Sequence, residues 1–236
     1  LTTQRQIILQ TFIEAEEKGK KLKAPVSVVF TKHFKPMVIG TFIMVATYSL
    51  FYIMTAFAQA YSRTLSTLSE AGYPMGLGIP ANTFTGLLLI SAIVFAIFIS
   101  ISGLYADKIG RRKWLIWTTV SILIFALCMP LFLGNGTPTS VFAFLVIGMA
   151  LMGMTFGPMA ALLPELFPTE VRYSGASLAY NIASIIGATI AAMISLKINA
   201  LYGLMGVGIY LAINAFLTLL ALLASKETKN VDLTQI

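Results

Sequence analysis

The chain has 236 residues, 58% of them apolar and only 11% charged, with a formal net charge of +7. Soluble domains carry about 25% charged residues, so an ordinary water-soluble fold is excluded. The basic residues sit in short segments between long apolar runs, which makes them a membrane-topology signal rather than a nucleic-acid footprint.

Residues 1–35 are polar and hold seven of the sixteen Lys and Arg residues. Ile7, Ile8, Phe12 and Ile13 form a partial helical stripe, and Pro25 is expected to break the pattern. This segment reads as a cytoplasmic linker with an amphipathic surface helix. A regulatory or lipid-binding arm is the alternative. No apolar signal-peptide core is visible, and the chain opens on Leu1, so a piece of a longer chain is expected.

Uncharged runs count the spans, each needing about 20 residues. The longest, Trp114–Pro164, is divided by the turn chemistry of Gly134-Asn135-Gly136-Thr137-Pro138. Six transmembrane helices are expected, at about 36–61, 83–105, 114–134, 141–163, 174–197 and 204–225, with a tail over 226–236. An even count puts both ends on one side. The segments on that side hold fourteen basic residues against two, Arg63 and Lys197, opposite, which predicts cytoplasmic termini. The bundle divides into residues 36–134 and 141–225, two triplets of opposite orientation, as in transporters built from inverted repeats.

Polar side chains recur at helical spacing in two spans. In the first, Thr41, Tyr48, Tyr52, Thr55 and Gln59 fall on one face. In the fifth, Ser174, Ser177, Asn181 and Ser184 do so, with Tyr180 beside them. Such groups are costly in hydrocarbon without partners, so each stripe reads either as a wall of a solute cavity or as helix–helix contact. The fourth span carries Gly153, Gly157 and Pro158, which suit a bending gate helix or a close packing face. No ionisable residue lies near the middle of a span, so a titrating group for proton coupling is not expected in this chain. No nucleophile–base set, metal-ligand cluster or cofactor loop is present, and an enzyme is not expected. Cys128 lies in an apolar run and reads as a packed small side chain.

The segment Gly103-Leu104-Tyr105-Ala106-Asp107-Lys108-Ile109-Gly110-Arg111-Arg112 resembles the cytoplasmic loop motif of the major facilitator superfamily. Two spans later, Pro164-Glu165-Leu166-Phe167-Pro168-Thr169-Glu170-Val171-Arg172-Tyr173-Ser174-Gly175, followed by Tyr180-Asn181, resembles the matching loop of its metabolite:proton symporter family. The resemblance implies an all-α membrane protein, the C-terminal half of a twelve-helix transporter in the bacterial inner membrane. Its partner would be the missing N-terminal six-helix half, where the proton-coupling groups of such proteins are generally sought. Asp107, Gly110, Arg111, Arg112, Glu165 and Arg172 would form a cytoplasmic charge network, with Arg111 or Arg112 reaching Glu165 and Asp107 meeting a helix N-terminus of the other half. The solute would be an organic acid or zwitterionic osmolyte, driven by a proton gradient with no bound cofactor. A non-transporting membrane sensor or remnant of a transporter half is the alternative.

Overall fold

The computed structural model describes residues 25–225 and Glu227, and every regular element among them is helical. The linker stripe expected within residues 1–24 lies outside the described residues, as does the tail beyond 227. Pro25 opens a helix, α1 (Pro25–Lys32). The first turn tolerates proline because its missing N–H would have no intrahelical partner there.

Helix α2 (Phe34–Tyr52) passes through a π turn at Ile53–Phe57 into α3 (Ala58–Arg63). Then come α4 (Ala81–Ile109), α5 (Arg111–Leu127), α6 (Met129–Leu133) and α7 (Pro138–Glu165). Helix α8 (Arg172–Ser184) runs through a second π turn, Ile185–Thr189, into α9 (Ile190–Ala224). Local chemistry explains the ends. Gly110, at φ 111°, lets α4 stop and α5 start with a single residue between them. Thr137 caps α7 by accepting from the Ser140 amide at 3.2 Å, and Pro138 occupies the first turn.

Among the described residues, four stretches are long and apolar enough to cross a membrane, namely Phe34–Arg63, Ala81–Ile109, Pro138–Glu165 and Arg172–Ala224. The last is not one straight rod. Gly203 has φ 69° and ψ −171°, so the stretch is two helices meeting at a one-residue bend. The connection over residues 64–80 clasps that bend. Ser69 Oγ donates to Ala200 O at 2.7 Å and Asn199 Nδ2 donates to Pro74 O at 2.9 Å. Tyr73 lies against Gly203, where a methyl group would stand 2.6 Å from its ring.

Helices α4 and α7 form the most extensive helix pair. Gly153 and Gly157 make the close approach possible, since a methyl group on Gly153 would stand 2.6 Å from Phe95 O and one on Gly157 2.7 Å from Ile99 O. Ser102 Oγ shares its proton between Ile99 O at 2.9 Å and Gly153 O at 3.0 Å across this seam. The opposite side of α4 is bare, with Ile90, Ile93, Ile97 and Leu104 exposed. The core divides into two clusters. Phe57, Tyr61, Phe84, Phe125 and Phe144 anchor the first, and Ile43, Leu115, Leu162 and Phe167 anchor the second, toward the end that carries the charged hairpin.

Candidate functional site

The second core cluster opens beside α8 into a groove of about 400 Å³. Met44 of α2, Phe156, Met159, Ala160, Leu163 and Pro164 of α7, and Ala176, Ser177 and Tyr180 of α8 line it. It is an apolar trough with a tyrosine and a serine on one side. Tyr48 stands behind Tyr180, the rings edge to face with centroids 5.3 Å apart. Tyr180 is 42% exposed, whereas Tyr48 is buried, its hydroxyl near Tyr180 but in no well-formed hydrogen bond.

The other candidates from the two stripes are scattered more widely. Asn181 is exposed, and its amide folds back to Ser177 O at 2.8 Å and Ser177 Oγ at 3.3 Å. Ser184 is half-buried at the end of α8. Thr41 is buried with an unpaired hydroxyl. Tyr52 is half-buried and meets Phe51 edge to face at 5.2 Å. The five-residue face of the first span does not continue past Tyr52. The π turn at Ile53–Phe57 inserts an extra residue into the winding and rotates the remainder of the span by about 100°. Thr55 turns its hydroxyl to Phe51 O at 2.7 Å, and Gln59 lies half-buried in α3.

At one end of the bundle sits the charged hairpin between α4 and α5. Arg111 bonds Glu165, at the last position of α7, through Nη1. It also holds Asp107 at 3.2 Å, one turn back in the hairpin. Burial works against the Arg111 charge, but the bonds to Glu165 and then Asp107 outweigh it and hold the guanidinium above its usual pKa. Of the two arginines able to meet Glu165, the geometry selects Arg111. Arg112 turns away, donating to Leu222 O at 2.7 Å and Leu223 O at 3.0 Å. Those are orphan carbonyls at the C-terminal end of α9, where a cation is favoured. Arg172 donates to Phe167 O at 3.4 Å within its own loop and keeps a buried Nη2 without a partner. The positive φ is what calls for glycine at 110, since the neighbour a Cβ would meet, Glu227 Oε2 at 2.8 Å, is the movable end of a long side chain.

Sequence reading passed over three groups. Ser49 on α2 and Asn214 on α9 meet at 2.9 Å. Thr218, four residues after Asn214, bonds the α2 backbone. Trp114 in the first turn of α5 donates its indole N–H to Met154 O at 2.9 Å. The spacing of Asn214 and Thr218 was a readable sign of a polar face in the last span. Among the described residues no group of His, Cys, Asp and Glu could hold a metal ion.

The arrangement combines a groove with a neutral, partly aromatic wall and an ion-pair tie at one end of the same bundle. The Major Facilitator Superfamily model matches residues 8–192. The chain belongs to that superfamily. Within it, a Haemophilus influenzae protein provisionally named as a metabolite transport protein is 87% identical over 95% of this chain and 51% of its own length. The Escherichia coli inner membrane metabolite transport protein YhjE is 50% identical over 94% of this chain and 49% of its own length. The proline/betaine transporter of Salmonella typhimurium is 27% identical over 86% of this chain and 38% of its own length. The chain thus spans about half the length of the curated metabolite transport relatives it matches. No solved structure matches it.

Proposed function

We propose that this chain is the C-terminal six-helix half of a proton-coupled symporter that carries a small polar metabolite across the bacterial inner membrane by alternating access. The observation that carries the reading is the tie from Arg111 to Glu165 at the end of α7, the helix whose last turns line the groove beside Tyr180. Alternating access rocks one bundle against another around a fixed site. It needs a wall that meets solute and a contact that holds one side shut, and this half contributes one of each.

The six crossings would be α2 with α3, α4, α5 with α6, α7, α8 up to Gly203, and the remainder of α9. Fourteen basic residues against two support cytoplasmic termini. The half-length match to the relatives supports a second bundle of similar size as the partner. The neutral, aromatic wall and the proline/betaine name of a distant relative favour a zwitterionic solute. An organic acid would need its countercharge from the other bundle. The energy source is the proton gradient, with no cofactor, and the titrating group belongs to the other half because these spans carry none at mid-depth.

The test is uptake of a radiolabelled metabolite panel by vesicles holding the full-length protein, with and without an imposed pH gradient. Gradient-dependent accumulation of one solute is expected. Correctly inserted protein that accumulates none would turn the reading toward a sensor or remnant.

A further inference from the structure

We propose that Trp114 is a positioning residue that ties the proline-interrupted turn of α7 to the charged hairpin, so that the hairpin and the end of α7 move as one unit. Pro158, inside α7, has no N–H, and helix geometry therefore leaves the carbonyl of Met154, four residues earlier, without its partner. An orphan carbonyl in a membrane interior must find another donor. The Trp114 indole N–H is that donor, at 2.9 Å. Tyr105, from the last turns of α4, stacks on the indole with centroids 5.9 Å apart and planes 18° apart, which fixes the ring.

The second grip comes from the same turn of α5. Arg111 precedes Trp114 by three residues, so the two lie on one face. Arg111 holds Glu165 on the far side of Pro158 from Met154. The first turn of α5 thus spans the proline, bonded to α7 before it and after it. A displacement of the hairpin is therefore transmitted to α7 on both sides of Pro158. In the proposed transport cycle, on which the uptake half of the test rests, this makes Trp114 the link between the ion-pair tie and the helix that lines the groove.

The test uses the epistasis that proline chemistry dictates. Pro158→Ala restores an N–H for Met154 O and should make the indole donor redundant. Trp114→Phe keeps a ring for Tyr105 but removes the donor. Both are placed, singly and together, in full-length protein; for the distance measurement it also carries Cys128→Ser and spin labels at Ile147 and Ala160, two exposed positions flanking Pro158, and uptake is read on unlabelled protein without these changes because Ala160 lines the groove. Trp114→Phe is expected to shift or broaden the label–label distance and to change nothing further once Pro158→Ala is present. In uptake it should lower the maximal rate several-fold with KM little changed, again only in the Pro158 background. An unaltered distance in Trp114→Phe overturns the proposal even if wild-type uptake is absent. An equal effect in both backgrounds also overturns it, since that would be lost ring packing. Should Trp114→Phe fail to fold, folding rescued by Pro158→Ala supports the link, and failure in both backgrounds defeats it. Loss of the transporter reading alone would appear as no wild-type uptake while the labels still respond.

Discussion

Asn214 donates to Ser49 Oγ at 2.9 Å, and Ser49 passes its own proton to Gly187 O at 3.2 Å, in the second π turn. One turn along α9, Thr218 donates to Phe42 O at 2.6 Å and accepts from the Ala46 amide at 3.1 Å. Those two backbone groups pair with each other in an ideal helix, so Thr218 is set into the ladder of α2. In a bilayer, helices gain little from burying apolar surface against each other, and interhelical hydrogen bonds contribute to association instead. Asn214→Leu should therefore destabilise the bundle by about 0.6–1.7 kcal/mol. Ser49→Ala should cost less in that background than alone, because the Asn214 bond is already broken and only the bond to Gly187 O remains to be lost. Thermal unfolding of the single and double variants in detergent measures both, and strictly additive losses would count against the coupling.

The α4–α7 seam makes a contrasting prediction from two glycines. A methyl group at Gly153 would stand 2.6 Å from Phe95 O, a backbone atom that cannot turn aside, whereas a Cβ at Gly86 of α4 would meet nothing within 4 Å. Gly153→Ala should cost about 1–3 kcal/mol by overpacking. Gly86→Ala should be neutral or stabilise by about 0.4–1 kcal/mol, since it only narrows the freedom of the unfolded chain. The order of the two melting temperatures decides the matter.

Much of this architecture was legible in the residues. The composition and the long uncharged runs pointed to an all-helical chain, and the turn chemistry around Thr137 and Pro138 falls where α7 begins. The two π turns were not legible, because spacings of three and four continue through Thr55 and Gln59 as if the helix were regular. Nor could periodicity choose between Arg111 and Arg112, which are neighbours in sequence but point about 100° apart on a helix. The choice depends on where α9 ends, and only the packed bundle brings Leu222 O to Arg112. The orphan carbonyl four residues before Pro158 could be foreseen, but its donor could not, since Trp114 is forty residues away. Gly203 falls between the two expected last spans, yet the sequence suggested a connecting loop where the backbone makes a bend in one residue.

Glu165 and Asp107 both hold Arg111, but unequally. The Glu165 side chain is 13% exposed and that of Asp107 66%. An exposed pair is worth about 0–1 kcal/mol, while a sheltered hydrogen bond to a charged group is worth about 1.5–3 kcal/mol. Glu165→Gln should therefore shift the balance of inward-closed and inward-open states further than Asp107→Asn. It should also lower the maximal uptake rate more, with less effect on KM. The exchanged pair Arg111→Glu with Glu165→Arg should recover part of the rate. Thiol labelling of a cytoplasmic-side cysteine, alongside uptake, reads both quantities, and a wild-type rate in Glu165→Gln would remove the latch.

Tyr48 is the residue whose substitution best separates packing from solute contact. Its ring packs on Tyr180, which lines the groove, but its hydroxyl is buried in no well-formed hydrogen bond. A buried hydroxyl left unpaired costs about 1–3 kcal/mol. Tyr48→Phe should accordingly leave the solute-free protein as stable as before or more so. If the hydroxyl waits for a solute that reaches in past Tyr180, the same change should raise KM, giving a variant that is sturdier and binds worse. Tyr180→Ala should raise KM as well, through loss of the exposed ring itself. Melting temperature and uptake kinetics measured on the same preparations separate the cases. A Tyr48→Phe protein with unchanged KM would assign this tyrosine to helix packing and leave Tyr180 and Ser177 as the polar contacts of the groove.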